Sequence, residues 1–289
     1  MQLVVYILVY PIIWFISILP FKLLYILSDS VYFIIYYIVG YRKKTVRHNL
    51  MIAFPNLSSK ERLSIEKKSY RHLCDMFLEM IKTLSISEKE MDKRYQFTNL
   101  EIYNKLEMQQ KSVIIMLAHY ASYEWIIAMN KYIKFEGFGV YKKIKNRYFD
   151  KLVKKIRSKF NATLISTKET SKVIEKNNHN NILSVYAFIS DQTPKPSSNM
   201  HWYQFMGKET PIHVGAELLA KRFDMSLIFL KVKKIKRGFY QATFEILADE
   251  VKSIPNFQIS EKFIQKVEQQ IYEAPEYYMW THKRWKHTR

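Results

Sequence analysis

The chain begins with two apolar runs and then changes character. Leu3 to Leu19 carries no charge and a single serine, Ser17, a length close to the lower limit for a membrane span. Pro11 and Pro20 interrupt the pattern, and Lys22 and Asp29 dilute its continuation. Val31 to Tyr41 is a second apolar stretch, too short to cross a bilayer alone. Without a basic leader or a small-residue cleavage site, the segment reads as a retained anchor rather than a cleaved signal. It is either one span or a kinked pair of monotopic helices, the plainer alternative being an apolar helical lid on the domain. Arg42, Lys43, Lys44 and Arg47 follow at once. Behind a spanning anchor they keep the rest of the chain on the cytoplasmic side, and beside a monotopic one they meet anionic headgroups.

Downstream, the polar pattern punctuates a series of short elements. Ser58-Ser59-Lys60-Glu61 reads as a capping box opening a helix to about Lys82, with Leu73, Phe77 and Met80/Ile81 on its inner face. A second helix is expected from Leu100 to Met108. The β-rich run Ser112 to Leu117 ends at His119, and Trp125 to Tyr132 follows as a helix. Val140-Tyr141 closes another strand before a basic helix from about Tyr148 to Phe160. Ala162 to Ile165, Ile182 to Ile189, Leu227 to Val232 and Tyr240 to Ile246 read as strands. Helices are expected near Thr170 to Lys176, Val214 to Arg222 and Ser260 to Tyr272, the last with Phe263, Val267 and Ile271 on one face. Thr193 to Ser198, with Pro194 and Pro196, is the clearest loop. Short strands interleaved with helices predict an α/β layered fold with a mixed central sheet. The domain reading is a membrane anchor or monotopic helices at 1–41 and one α/β domain at 42–289.

Charge changes the picture of what the chain meets. The net charge is +20, and residues 1–40 hold one Lys and one Asp, so the whole excess lies downstream. Acidic headgroups, a phosphorylated lipid, an acidic carrier protein or nucleic acid would all answer that field. No zinc finger, K-homology loop or recognition helix accompanies the charge, so nucleic acid is not expected as a partner. Six glycines and no G-x-G-x-x-G or G-x-x-x-x-G-K-[ST] weigh against nucleotide binding. Cys74, the single cysteine, excludes an intrachain disulfide and reads as a packing residue.

The candidate chemistry is His119-Tyr120-Ala121-Ser122-Tyr123-Glu124. Positions 119 and 124 differ by about 140° around a helix and do not share a face. The pair therefore makes sense with His119 on the turn leaving a strand and Glu124 on the first turn of the next helix, at the ligand edge of an open sheet. Imidazole titrates near neutrality, so His119 can take a proton from an attacking hydroxyl, with Glu124 expected to orient the ring and stabilise the imidazolium. The histidines outside this block lack the spacing of a zinc site, and no metal is expected.

Five ordered blocks carry a resemblance. Tyr41-Arg42-Lys43-Lys44 with Asn49-Leu50 and Phe54-Pro55 comes first, then His119 to Trp125. Tyr141-Lys142 with Asn146, Asp150 and Arg157 forms the third. Asp191-Gln192 with Phe205, Gly207 and Thr210 is the fourth, and Trp280-Thr281-His282-Lys283-Arg284-Trp285-Lys286 closes the chain. Over nearly its whole length the sequence resembles the bacterial lipid A late acyltransferases, the lauroyl/myristoyl transferases, within the H-x-x-x-x-[DE] glycerolipid acyltransferases. The resemblance implies a glycerolipid-acyltransferase-like fold, an acyl carrier protein thioester as donor and a hydroxyl of a lipid A precursor as acceptor. It implies no cofactor beyond that donor, and a location at the bacterial inner membrane with the catalytic domain on the cytoplasmic side. A monomer is expected. Tyr203-Gln204-Phe205-Met206-Gly207 departs from the two adjacent aromatics that relatives often carry there, which bears on the acyl or acceptor pocket.

Within these blocks Arg157 is a candidate to hold a phosphate, pair with a carboxylate near the site or stabilise an oxyanion, the bland reading being a solvated charge. Lys142 and Asn146 are candidate substrate contacts, with Arg147 on the surface. Asp191 and Gln192 end a strand, and Asp191 either organises Arg157 or the histidine loop or caps a turn. Thr210 either faces substrate or shapes the next helix. Trp280 and Trp285, with Lys283, Arg284, Lys286 and Arg289, are expected at headgroup level or with Trp280 docked on the core and the tail in water. Three other readings stay open: an acyltransferase for another anionic phospholipid, glycolipid or aminolipid; a hydrolase; and a non-enzymatic basic lipid- or nucleic-acid-binding protein.

Overall fold

A computed structural model describes residues 2–197 and 200–289. Ser198, the last residue of the expected loop, lies outside that range. α1 (Gln2–Ile18) and α2 (Phe21–Phe33) form a hairpin broken at Pro20, and α2 runs on as a π-helical segment, Ile34–Val39, to Gly40. Gly40 takes a left-handed φ of 65°, which only glycine adopts without cost. The continuous helix Phe21–Val39 is long and apolar enough to cross a membrane. α3 (Lys43–Ala53) leads to α4 (Ser59–Lys82), where the expected capping box is formed: Ser58 Oγ accepts from the Glu61 backbone N–H at 3.2 Å and Glu61 accepts from that of Ser58 at 2.7 Å.

The hairpin lies along α4, and polar groups fasten it. Lys82 Nζ donates to the carbonyls of Ser17 (2.7 Å) and Leu19 (2.8 Å), groups freed where Pro20 ends α1. Tyr25, Ser28 and Tyr36 donate to the carboxylates of Glu79, Asp75 and Glu66 respectively. These contacts correct the expected inner face of α4 in part, although Leu73 does pack against the core. Phe77 is half exposed, while Tyr70, Cys74 and Leu78 are buried together with Glu66, Asp75, Glu79 and Lys82. Apolar periodicity cannot register a buried stripe of charges whose partners come from elsewhere in the chain. Cys74 is buried, as packing requires.

The described residues include nine strands in two separate sheets, of seven and two strands. β1 (Tyr95–Thr98), β2 (Val113–Leu117), β3 (Glu136–Tyr141), β4 (Thr163–Ser166) and β5 (Ser184–Ile189) precede a separate hairpin, β6 (His201–Phe205) with β7 (Lys208–Ile212). β8 (Ser226–Lys236) and β9 (Phe239–Ala248) complete a seven-stranded order of β1-β9-β8-β2-β5-β3-β4. β2 sits at the centre, every residue buried, the mark of a parallel strand covered on both faces. The β8–β9 turn, with Gly238 at φ 73°, is too short for a crossover, so β9 runs antiparallel and β1 pairs parallel to it. The sheet is mixed, as expected. α5 (Glu88–Arg94), α6 (Leu100–Met108), α7 (Arg147–Arg157), α8 (Thr170–His179), α9 (Gly215–Phe223) and α10 (Gln258–Glu273) connect and cover it. Phe263, Val267 and Ile271 of α10 are all fully buried.

Two elements were not legible. β1 has only four residues. The β6–β7 hairpin turns on Met206 and Gly207, both at positive φ (51° and 74°), without the Asn-Gly or Asp-Gly signal that usually marks such a turn. The Tyr203 to Gly207 departure is therefore one strand and its turn.

Candidate active site

Strand register builds the site. β2 and β5 run parallel with Leu117 opposite Ile189, so two residues further on His119 and Asp191 leave the same sheet edge side by side. Asp191 Oδ1 accepts from the His119 backbone N–H at 3.0 Å and stands 2.7 Å from Nδ1. A carboxylate at Nδ1 selects the tautomer with the proton there, leaving Nε2 as the basic nitrogen. Asp191 is fully buried. Burial alone would raise its carboxyl, but the charge and hydrogen bonds of His119 outweigh burial and hold it below the usual carboxylate range.

The expected His119–Glu124 partnership is corrected by this arrangement. A 3₁₀ helix, Tyr123–Lys131, carries Glu124 away, and its buried carboxylate is taken by Arg157 at the end of α7. Arg157 Nε and Nη2 each donate to one Glu124 oxygen, Nε at 2.7 Å. Of the roles open to Arg157, pairing with a carboxylate near the site is the one found. Burial tends to lower its guanidinium, and attraction to Glu124 reverses this and raises it. Tyr123 lies between the two pairs, its ring edge-on to His119 with centroids 4.9 Å apart.

The carboxyl-terminal segment forms the floor. Met279 N–H donates to His119 O (3.1 Å), and Ala121, at a left-handed φ of 49°, donates its N–H to Tyr277 O (2.9 Å). A non-glycine residue there costs on the order of 1 kcal/mol, and the clamp on both sides maintains it. Asn49 Nδ2 donates in turn to the carbonyls of Trp280 (2.8 Å) and His282 (2.7 Å). Trp280 and Trp285 are buried and stacked 6.1 Å apart, and Trp285 stacks on Phe205. The headgroup-level reading of these tryptophans is thereby overturned, because α3 and the β6–β7 hairpin cover them. Lys283, Lys286 and Arg289 do face solvent.

The remaining candidates separate. Gln192 stays at the site, its amide 3.8 Å from Met279 Sδ. Lys142 is exposed beyond β3, and Asn146 caps α7, accepting from the N–H groups of Tyr148 and Phe149. Thr210 is buried within β7, its Oγ1 without a partner among the described residues. Sequence reasoning missed His72 and Tyr278 beside His119, and gave no role to Tyr123 and His282 although both lie in recognised blocks. His282 is driven down to about 4, chiefly by burial, so it stays neutral at pH 7. Only the adjacency of Tyr278 to the block that opens at Trp280 could have flagged it.

His119 opens into a small cleft whose walls include Ser69, His72, Leu73, Met76, Tyr123 and Met279. A base so oriented and opening into a cleft can take a proton from a hydroxyl placed against Nε2. The chain is 22% identical over 278 residues to the lipid A biosynthesis lauroyltransferase of Escherichia coli (strain K12), covering 95% of this chain and 89% of that protein. Residues 1–287 match the family described as bacterial lipid A biosynthesis acyltransferase, and the chain belongs to that family.

Proposed function

We propose that the protein transfers a fatty acyl chain from an acyl carrier protein thioester to a hydroxyl of a lipid A precursor. The 2.7 Å contact between His119 Nδ1 and Asp191, at the carboxyl edge of the parallel strands, carries this reading. His119 Nε2 removes the proton of the acceptor hydroxyl as its oxygen attacks the thioester carbonyl. Asp191 holds the ring and stabilises the imidazolium, and the proton is then passed to the departing thiolate. Glu124 fixes Arg157 through Nε and Nη2, and in this reading the guanidinium charge stabilises the oxyanion that forms on the carbonyl. No cofactor enters the scheme. The net charge of +20 supports an acidic carrier protein and a phosphorylated acceptor as partners.

The protein rests on the cytoplasmic face of the inner membrane as a monotopic enzyme in this reading. Leu8, Trp14, Phe15, Ile26, Phe33 and Ile38 form an exposed apolar outer face on the hairpin. Its inner face is bonded to Glu66, Asp75, Glu79 and Lys82 of α4. Passage across a bilayer would take those charges into hydrocarbon, so insertion to the depth of one helix is favoured.

The test is transfer from purified acyl carrier protein thioester to purified lipid A precursor, with product identified by mass. H119A should reduce turnover by about 10³-fold, and a deletion strain should lose one secondary acyl chain from lipid A. Full activity of H119A would refute the mechanism. Altered phospholipid or aminolipid in place of altered lipid A would reassign the acceptor.

A further inference from the structure

Arg284 is among the largest fully buried side chains, at 1% exposure. None of its three guanidinium nitrogens has a hydrogen-bond partner among the described residues, and Asp191 Oδ2 is likewise buried and unpartnered. The two belong to one enclosed region. Thr193, two residues beyond Asp191, donates its hydroxyl to the Arg284 carbonyl. The guanidinium lies 4.8 Å from the ring centre of Phe205, which in turn packs against Tyr278. The charges of Asp191 and Arg284 act on the Tyr278 phenol in opposite directions, the carboxylate raising it and the guanidinium lowering it. A cation closed off from water needs an anion close by, since the bulk solvent no longer screens it.

The neighbouring groups leave one candidate for that anion. Glu124 and Arg157 neutralise each other on the 3₁₀ helix and α7. His213, after β7, and His282, in the carboxyl-terminal segment, are held neutral by burial, and burial does the same to His72 on α4. The phenols of Tyr123 and Tyr278 are kept protonated by burial. Arg42 is solvent-exposed and bonded to the Thr281 carbonyl. Among the described residues, Asp191 is the carboxylate whose charge acts on Arg284.

We propose that Arg284 is a positioning residue of the acyl-transfer site, balancing the charge of Asp191 from behind and thereby setting the proton affinity of His119. This rests on the reading of His119 as the base. With Arg284 present, the neutral imidazole, the carboxylate and the guanidinium sum to zero, and protonating His119 creates a net positive charge in an enclosed site. Without the guanidinium the carboxylate is uncompensated, so a proton on His119 is held more tightly. The base is then blocked up to a higher pH.

The experiment is the pH dependence of kcat/KM for the full-length enzyme and three variants. R284Q should move the acid limb upward by about one pH unit, with much of the rate recovered on the alkaline side. R284K retains the charge and should restore the limb to within a few tenths of a unit. If R284Q does not fold, position 284 can be made citrulline by ligating a synthetic peptide of residues 283–289 through a cysteine at exposed Lys283. Citrulline keeps the shape and loses the charge, and a K283C chain with arginine serves as control. A folded neutral variant whose acid limb stays in place overturns the proposal, as does an equal shift in R284K. H119A separates the two levels: its full activity would instead remove the base assignment itself.

Discussion

A single carboxylate oxygen, Asp191 Oδ1, fixes His119 twice, at 2.7 Å from the ring Nδ1 and 3.0 Å from the backbone nitrogen. The ring and the turn that carries it are therefore set by one side chain. D191N should lose both the imidazolium stabilisation and the tautomer preference, since an amide can present N–H to Nδ1. Turnover should fall by about 10³- to 10⁴-fold with little change in KM. Steady-state kinetics on the purified variant check it, and a loss under tenfold would show that the contact is structural only.

Glu124 and Arg157 should behave as a unit distinct from that pair. E124Q and R157Q would each leave a largely buried charge without its partner, whereas the double variant leaves neither. The four thermal unfolding curves, wild type included, should give a coupling of about 1–3 kcal/mol, reduced from the fully buried case because Arg157 retains some solvent contact. Neither single variant should move the acid limb of the pH profile as far as D191N does. Strictly additive stabilities would mean that the pair is not coupled.

How much of this was legible in the sequence depended on whether a residue's partner lay in its own segment. His119 at the end of a strand followed from the apolar run ahead of it and from helical geometry. Asp191 also ended a recognised strand, but only the β2–β5 register makes the two neighbours. Spacing favoured Glu124 because it was near in the chain, and a 3₁₀ helix then turned it toward α7. The carboxyl-terminal tryptophans have the composition of a membrane interface, and the side chain that buries their segment, Asn49, lies 231 positions from Trp280. On α4 the same limit applies: Glu79 is an improbable core residue until Tyr25 and Tyr240 supply hydroxyls to both of its oxygens.

That buried carboxyl gives a pH prediction for stability. Burial pushes Glu79 up to about 7, with Asp75 adding to the shift and Lys234 opposing it. Its folded value thus lies above the unfolded one, so its contribution is fully present below about pH 4.5 and is lost as the pH rises toward 7. The loss amounts to about 3 kcal/mol across that window. Denaturant titrations of wild type and E79Q from pH 5 to 8 should show the gap shifting in favour of the glutamine variant as the pH rises. A constant difference would mean that Glu79 is ionised throughout.

The hairpin's outer face can be tested apart from the chemistry. F15E and I26E place charges on exposed apolar positions distant from His119. Each should weaken flotation with vesicles containing anionic phospholipid while transfer to detergent-solubilised acceptor stays within about twofold, because interfacial binding scales with the apolar area inserted. Unchanged flotation of the double variant would remove the hairpin from the membrane contact.

Asn49 joins the two ends of the chain beneath the catalytic turn, and its substitution separates packing from catalysis. N49A leaves the carbonyls of Trp280 and His282 without their donor in a region closed to solvent. Two unsatisfied acceptors should cost about 1–3 kcal/mol of stability. The segment they anchor also supplies the Met279 N–H that fixes His119 O and the Tyr277 carbonyl that holds Ala121 in its left-handed conformation. Loosening it lets the turn relax and the imidazole drift from its productive position, a displacement felt in kcat more than in substrate affinity. N49A, assayed well below its melting temperature, should therefore lose at least tenfold in kcat while its acid limb stays at the wild-type pH, since Asp191 and Arg284 keep their charges. A variant destabilised by the expected amount but fully active would show that the catalytic turn holds its shape without this tether.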